Sequence, residues 1–215
     1  MEKKVEKMDQ LIHLAYIEMS LNGFKEDEFE NKIEIRPSSI AGNGVFTMKK
    51  IKKNEVITLY PAHFVIHRQT DVAYSQFDPN DYHKDYDFNW NNYKISGIPS
   101  KIDKKSFLGH MVNDGGDIDL ESNIPLNEYH KWFSRYMISV FNKCNARFNT
   151  KPYYIEIVAI RDIEENEEIL VPYGAEYWTD RKFGIKDFNQ TCDILTKQMS
   201  IDKLIFIYKL SDKFK

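Results

Sequence analysis

A chain of 215 residues has the length of one domain with elaborations rather than of two full domains. Its 42% hydrophobic, 14% aromatic and 29% charged residues are a globular composition, and a net charge of −3 lacks the basic excess of a nucleic-acid binder. The two cysteines, Cys144 and Cys192, stand far apart, which excludes a disulfide framework and a cysteine-built zinc cluster. Met1-Glu2-Lys3-Lys4 is not followed by the apolar run of a signal peptide, and stretches such as 157–160 are too short to cross a bilayer. A soluble, intracellular protein is expected.

Met8, Leu11, Ile12, Ala15 and Met19 recur at helical spacing and predict an amphipathic helix over residues 5–22. Residues 32–36 alternate apolar and charged, the period of a strand, and a glycine-containing turn follows at 41–44. Two short strands are expected at Val45-Phe46 and over 56–59, joined through the charged turn Lys52-Lys53-Asn54. Residues 61–105 show no sustained period and read as a loop-rich insertion with short helical pieces. A second insertion, 117–143, contains a predicted helix over 129–140. Alternation returns over 154–159 and after the acidic turn Glu164-Glu165-Asn166. Ile201, Leu204, Ile205 and Tyr208, at i, i+3, i+4 and i+7, predict a terminal helix packed by that face.

Three separated segments carry the chemistry. The first is Ile40-Ala41-Gly42-Asn43-Gly44-Val45-Phe46, followed by Ile51-Lys52-Lys53-Asn54-Glu55-Val56-Ile57. Glycines there let backbone approach a ligand, and free N–H groups in such a turn can bind a carboxylate. The second is His110-Met111-Val112-Asn113-Asp114, resumed after the insertion by Cys144-Asn145-Ala146-Arg147-Phe148. An asparagine amide both donates and accepts, which suits the amino-acid end of a cofactor or a neighbouring backbone group. The third runs from Ile157 to Trp178 and includes Arg161-Asp162-Ile163, Glu167-Glu168-Ile169-Leu170 and Val171-Pro172-Tyr173-Gly174-Ala175-Glu176-Tyr177-Trp178. Asn166 stands at its turn, and asparagine accepts positive φ better than most residues.

In this order, the three segments resemble the SET-domain family of protein-lysine methyltransferases. They match its "GxGVF", "RFxNHSxxPNAxF" and "IxAxRDIxxGEELxxxYGxxYW" patterns, and the "YGAEYW" ending is similar to that of compact viral SET proteins. Two departures stand in the second segment: His110 where the family often has arginine, and Asp114 where it usually has histidine.

The resemblance implies a mainly β fold with added helices, built of short antiparallel sheets around a knot-like crossing, with amphipathic helices at both termini. It divides the chain into an N-terminal helical extension (1–31), a SET domain (32–178, with insertions 61–107 and 117–143) and a helical segment (179–215) that closes the site. It implies S-adenosylmethionine (AdoMet) as cofactor, and the six histidines without ligand spacing and the single cysteine, Cys192, after the third segment lead to the expectation of no metal. Tyr173 takes the catalytic position. Gly42, Asn43, Gly44, Asn113, Asp114, Asn145 and Trp178 take cofactor positions, with Asn145 holding backbone geometry. Tyr60, Phe148, Val171 and Tyr177 line the lysine channel, and Phe183 or Phe188 is expected against adenine. Phe148 and Val171, neither bearing a hydroxyl, imply di- or trimethylation. The expected partner is a protein with a basic, lysine-containing segment, a histone tail being favoured, with no nucleic acid, no membrane and no defined oligomeric state. A non-histone substrate and a non-catalytic interaction module are the alternatives. The expected location is nucleus or cytoplasm, of a host cell if the chain is viral.

Overall fold

The computed structural model describes residues 16, 26–90, 92–118, 124–152, 154–185 and 187–214. They fall into two compact units, Met1–Val112 with Phe148–Ile169, and Asn113–Arg147 with Leu170–Lys215. The helix expected over 5–22 lies outside the described residues except for Tyr16.

The first unit opens on a single helical turn, α1 (Glu26–Phe29), and an antiparallel hairpin of β1 (Ile33–Pro37) and β2 (Asn43–Thr47). Its loop closes where Ser38 N–H donates to the Gly42 carbonyl at 2.9 Å. Asn54, at φ 69°, turns the chain into β3 (Val56–Leu59). The insertion that follows is rich in loops, as expected, but they connect a sheet that the sequence did not predict. β4 (Phe64–His67), β5 (Ala73–Ser75), β6 (Asp87–Trp90) and β7 (Tyr93–Ser96) form an antiparallel sheet in the order β5-β4-β7-β6. The expected helical pieces are the 3-10 turns Pro79–Asp81, Lys84–Tyr86 and, at its end, Lys105–Phe107. Strands of three or four residues are too short to display a period, so it is pairing, and burial of Val65, Trp90, Tyr93 and Ile95, that specifies them.

The chain leaves this unit through β8 (Asn113–Asp114) and returns along β9 (Ala146–Thr150) and β10 (Ile155–Ala159). The second sheet is ordered β3-β10-β9. All five residues of β10 are buried, including Glu156, whose carboxylate accepts from Asn149 Nδ2 at 2.7 Å and pairs with Lys151 at 3.5 Å. Its apolar–charged alternation therefore does not mark a wet face. Tyr16 ties the layers together: its hydroxyl donates to the Tyr60 carbonyl and accepts from Ile155 N–H, and its ring meets Trp90 edge-on at 5.5 Å. Asn166 adopts φ 66°, as expected of the residue standing at that turn.

In the second unit β8 pairs in parallel with β11 (Leu170–Val171), Asn113 opposite Leu170 and Asp114 opposite Val171. The expected adjacency of the Asn113 and Tyr173 segments is thus present. α2 (Tyr129–Lys143) covers the predicted helix and runs three residues further. Its buried residues Tyr129, Trp132, Tyr136 and Val140 follow the 3-4-4 spacing of one helical stripe. α3 (Ala175–Phe183) ends at Gly184 in the left-handed region, φ 67°, where its N–H returns to the Asp180 carbonyl at 2.9 Å. α4 (Phe188–Gln198) is capped by Asp187, whose carboxylate accepts from Asn189 N–H.

α5 (Ile201–Ser211) is the predicted terminal helix, but its predicted face is wrong. Ile207 is its buried residue and Leu204 is half-buried, whereas Ile201, Ile205 and Tyr208 are exposed by 74%, 47% and 63%. With Phe206 and Leu210 also apolar, the helix carries hydrophobic residues on most sides, and spacing alone could not choose which stripe packs.

Candidate functional site

Asp114 organises the second unit. Its side chain is almost fully buried, and four donors converge on it. Tyr136 hydroxyl, Tyr173 N–H and Trp178 Nε1–H donate to Oδ2 at 2.8, 2.9 and 2.8 Å, and Gly116 N–H donates to Oδ1 at 2.6 Å. Burial pushes the carboxyl above the usual carboxylate range, while the four donors pull it back. Desolvation and the adjacent Asp114 raise Tyr136 well above the ordinary phenol range, so it serves as a neutral donor. The same hydroxyl accepts from Gly174 N–H at 3.0 Å. A Cβ on Gly116 would collide with the Tyr136 ring, which is why this turn needs glycine.

These bonds fix the residue read as catalytic. Tyr173 is half-buried, its main chain held by Asp114 and its ring stacked on Trp178 with planes 2° apart and centroids 6.0 Å apart. Tyr177 stands perpendicular to both rings, at 5.2 Å from Tyr173 and 4.8 Å from Trp178, and carries the Arg181 guanidinium 3.6 Å over its own ring. Gly174, at φ 99°, turns the chain from Tyr173 into α3. Asn145 binds backbone: its Oδ1 accepts from Leu170 N–H at 2.9 Å and its N–H donates to the Leu170 carbonyl at 3.1 Å. Burial pushes the Cys144 thiol up to about 12, which removes it from nucleophilic chemistry.

The remaining site residues belong to the first unit. Ala41, Gly42 and Asn43 are exposed, Gly44 is buried, and Gly42 sits at φ 46° with nothing within 4 Å of where a Cβ would be. Tyr60 and Phe148 lie with ring centroids 6.2 Å apart, joined by Phe88 at 5.5 and 4.8 Å. The Tyr60 hydroxyl donates to the Tyr86 carbonyl at 2.5 Å. Beside Tyr86 lies His110, buried with His63 around the Ile98 peptide. Ile98 N–H donates to His63 Nδ1, and His110 Nε2 bonds the Ile98 carbonyl. Burial lowers these histidines to about 4 (His63) and about 3 (His110), so both are neutral.

The structure thus brings together Asn113, Asp114, Asn145, Val171, Tyr173, Tyr177 and Trp178 in one unit, and Tyr60 with Phe148 in the other. Val171 is fully buried, so of the two residues read as setting the methyl count Phe148 alone has exposed surface. Phe183 packs edge-on to Tyr129 and Trp132 at 5.1 and 5.4 Å. The side chain of Phe188 lies outside the described residues. Sequence reading missed Tyr136 and Phe88. Tyr136 shares the i, i+4 stripe of Trp132 and Val140 and reads as core, and Phe88 lies in a strand too short to show a face. Among the described residues no three His, Cys, Asp or Glu side chains group as a metal site, and no helix is long and apolar enough to cross a membrane.

The family model of the SET domain matches residues 42–174. A Plasmodium falciparum crystal structure, of a protein described as a candidate histone methyltransferase, overlaps 69% of this chain and 97% of its own at 24% identity and a TM-score of 0.38. The family match, not this overlap, carries the assignment. No curated protein sequence matches the chain.

Proposed function

The chain belongs to the SET-domain family of protein-lysine methyltransferases, and on that premise we propose that it transfers methyl groups from AdoMet to a lysine of another protein. The observation that carries this reading is the fixing of Tyr173, by main chain through Asp114 and by ring through Trp178. A residue so constrained meets the demand of an in-line displacement, in which alignment alone supplies about 7–11 kcal/mol of barrier lowering.

The residues fit the cofactor. In the first unit the exposed, unfilled turn at Gly42 and Asn43 leaves backbone accessible to its carboxylate, and in the second, taken by itself, Asn113 and Trp178 are its proposed residues. Bound AdoMet supplies the electrophilic methyl. The amine must arrive neutral, although a free lysine has a pKa of about 10.4, so the apolar walls of Tyr60, Phe88 and Phe148 favour loss of its proton. The Tyr173 hydroxyl orients its lone pair. Asp114 acts through Tyr173 and Trp178, as a positioning residue; its carboxylate is already occupied by four donors.

A basic substrate segment such as a histone tail suits the insertion, where Asp71, Asp78, Asp81, Asp85 and Asp87 stand against one lysine, Lys84, over 71–87. Phe148 carries no hydroxyl to hold a water beside the amine, so di- or trimethyl-lysine is the proposed product. Tritiated AdoMet with histone octamer or with total cell lysate tests the proposal. Label in histone, or in another protein, that falls on the order of 100-fold with Tyr173→Phe supports it. AdoMet binding without transfer to either mixture would make the chain a non-catalytic module, a reading that the substitution of Asp114 for the family's usual histidine keeps in view.

A further inference from the structure

The insertion sheet has two edges, and they are built differently. β6 carries Phe88 against Tyr60 and Phe148. β5 ends the sheet on the other side. Its register is set by His67 N–H donating to the Val72 carbonyl at 2.9 Å and by Val65 standing opposite Tyr74. In that antiparallel pattern Tyr74 turns its main chain toward β4, while Ala73 and Ser75 turn theirs outward. Both are exposed.

The same two residues line a cavity of about 260 Å³, with Phe64 and Ile66 from β4 and Phe77 and Tyr82 from the segment after β5. Its polar atoms are already used. Ser75 Oγ donates to the His63 carbonyl at 2.8 Å and accepts from Phe77 N–H at 3.0 Å, and the Tyr82 hydroxyl donates to Asp87 at 2.6 Å. What the cavity offers is therefore apolar surface and shape. The flanking segment 71–82 holds Asp71, Asp78 and Asp81, all exposed, and no lysine or arginine. Lys101 places its ammonium 5.5 Å over the Phe77 ring.

We propose that the β5 edge and this cavity form a docking site for an extended peptide segment of a protein partner. The peptide adds a strand to β5 through the outward N–H and C=O groups of Ala73 and Ser75. One large apolar side chain fills the cavity, and flanking lysines or arginines face Asp71, Asp78 and Asp81. Strand addition of this kind takes affinity from the main chain and specificity from the alternate side chains. Edge strands are ordinarily blunted by charge, proline or a cover. β5 has none of these within its three residues, Ala73-Tyr74-Ser75. Docking here deepens the proposed function, since it uses the acidic segment offered there to a basic substrate, but the test reads binding alone, so its failure would leave methyl transfer untouched.

The probe is a set of fluorescein-labelled peptides with the core Lys-Thr-Xaa-Thr-Lys, Xaa being Leu, Phe, Trp, Ser or Asp, added to the full chain. The Leu, Phe and Trp peptides should bind, and the Ser and Asp peptides at least about tenfold more weakly. Ala73→Leu, which fills the cavity from an exposed position, should weaken binding about tenfold with an unchanged melting temperature. Ala73→Pro, which removes an outward donor at an edge that tolerates proline, should do the same. Asp78→Asn with Asp81→Asn should weaken binding severalfold and flatten its salt dependence. Amide shifts in the NMR spectrum should centre on Ala73, Tyr74, Ser75 and Phe77. The proposal is overturned if no apolar peptide binds up to about 1 mM, if serine serves as well as phenylalanine, or if a folded Ala73→Leu protein binds unchanged.

Discussion

The Asp114 cluster and the Tyr60–Phe88–Phe148 cluster are both rich in aromatic rings around a buried residue, Asp114 in one and Tyr60 in the other, yet they are held by different forces. The first is directional: one carboxylate collects four donors from the Gly116 turn after β8, α2, the Tyr173 turn and α3. The second is an apolar contact of three rings 4.8–6.2 Å apart, with neutral histidines behind it. A directional cluster fixes one geometry and fails abruptly, because each stranded donor keeps its full desolvation cost. An apolar cluster yields by degrees and adapts to the volume it encloses. The difference suits the proposed roles, since a catalytic tyrosine needs a fixed position and a channel for lysine needs a graded width.

The comparison breaks most directly at Asp114. Asp114→Ala strands four donors and should cost about 3–5 kcal/mol in denaturant melts, the scale of removing one partner from a buried charged network. Asp114→Asn keeps an acceptor for the three donors on one oxygen and turns its amide nitrogen against Gly116 N–H alone, so it should cost only about 1–2 kcal/mol. Equal losses from the two changes would show that the site is held by packing and not by directed bonds.

Acid separates the clusters by sign. His63 and His110 have folded values depressed to about 4 and about 3, against 6.5 ordinarily. The unfolded chain therefore binds more protons, so their contribution is intact above pH 6.5 and is lost as pH falls toward 4 and then 3. Asp114 has the opposite sign, because its raised value makes protonation easier in the folded state than in the unfolded one. Hydrogen-exchange protection of Ile98 N–H, the donor to His63, should decline on acidification before that of Tyr173 N–H, the donor to Asp114. Parallel decline would refute the assignment.

Smaller effects are expected in the aromatic cluster. Phe88→Ala removes one half-buried ring and should cost about 1–2 kcal/mol while leaving the fold cooperative. Smallest in energy, but sharpest as a readout, is Phe148→Tyr. A hydroxyl there can tether a water or the amine, so the product mixture, resolved by mass spectrometry, should move from di- and trimethyl-lysine toward monomethyl-lysine. Unchanged product ratios would remove Phe148 from the channel.

Much of the site was legible because its constraints are local. Asn166 at positive φ, the strands around Gly42 and over 56–59 and the helix from Tyr129 all follow from residue chemistry, short-range pattern or motif order. The identity of Asp114 was also visible, but only as a departure from the family pattern. Its meaning lay in Tyr136, 22 residues away, and in Trp178, 64 residues away, and no spacing rule reports a hydrogen bond closed across such distances. The four-stranded insertion sheet was hidden for a related reason. Strands of three and four residues carry too little periodicity, and they exist because their neighbours pair with them. For α5, composition established an apolar helix, but only tertiary packing chose Ile207 over Ile201, Ile205 and Tyr208 as the buried side, because a helix hydrophobic on most faces has no single preferred one.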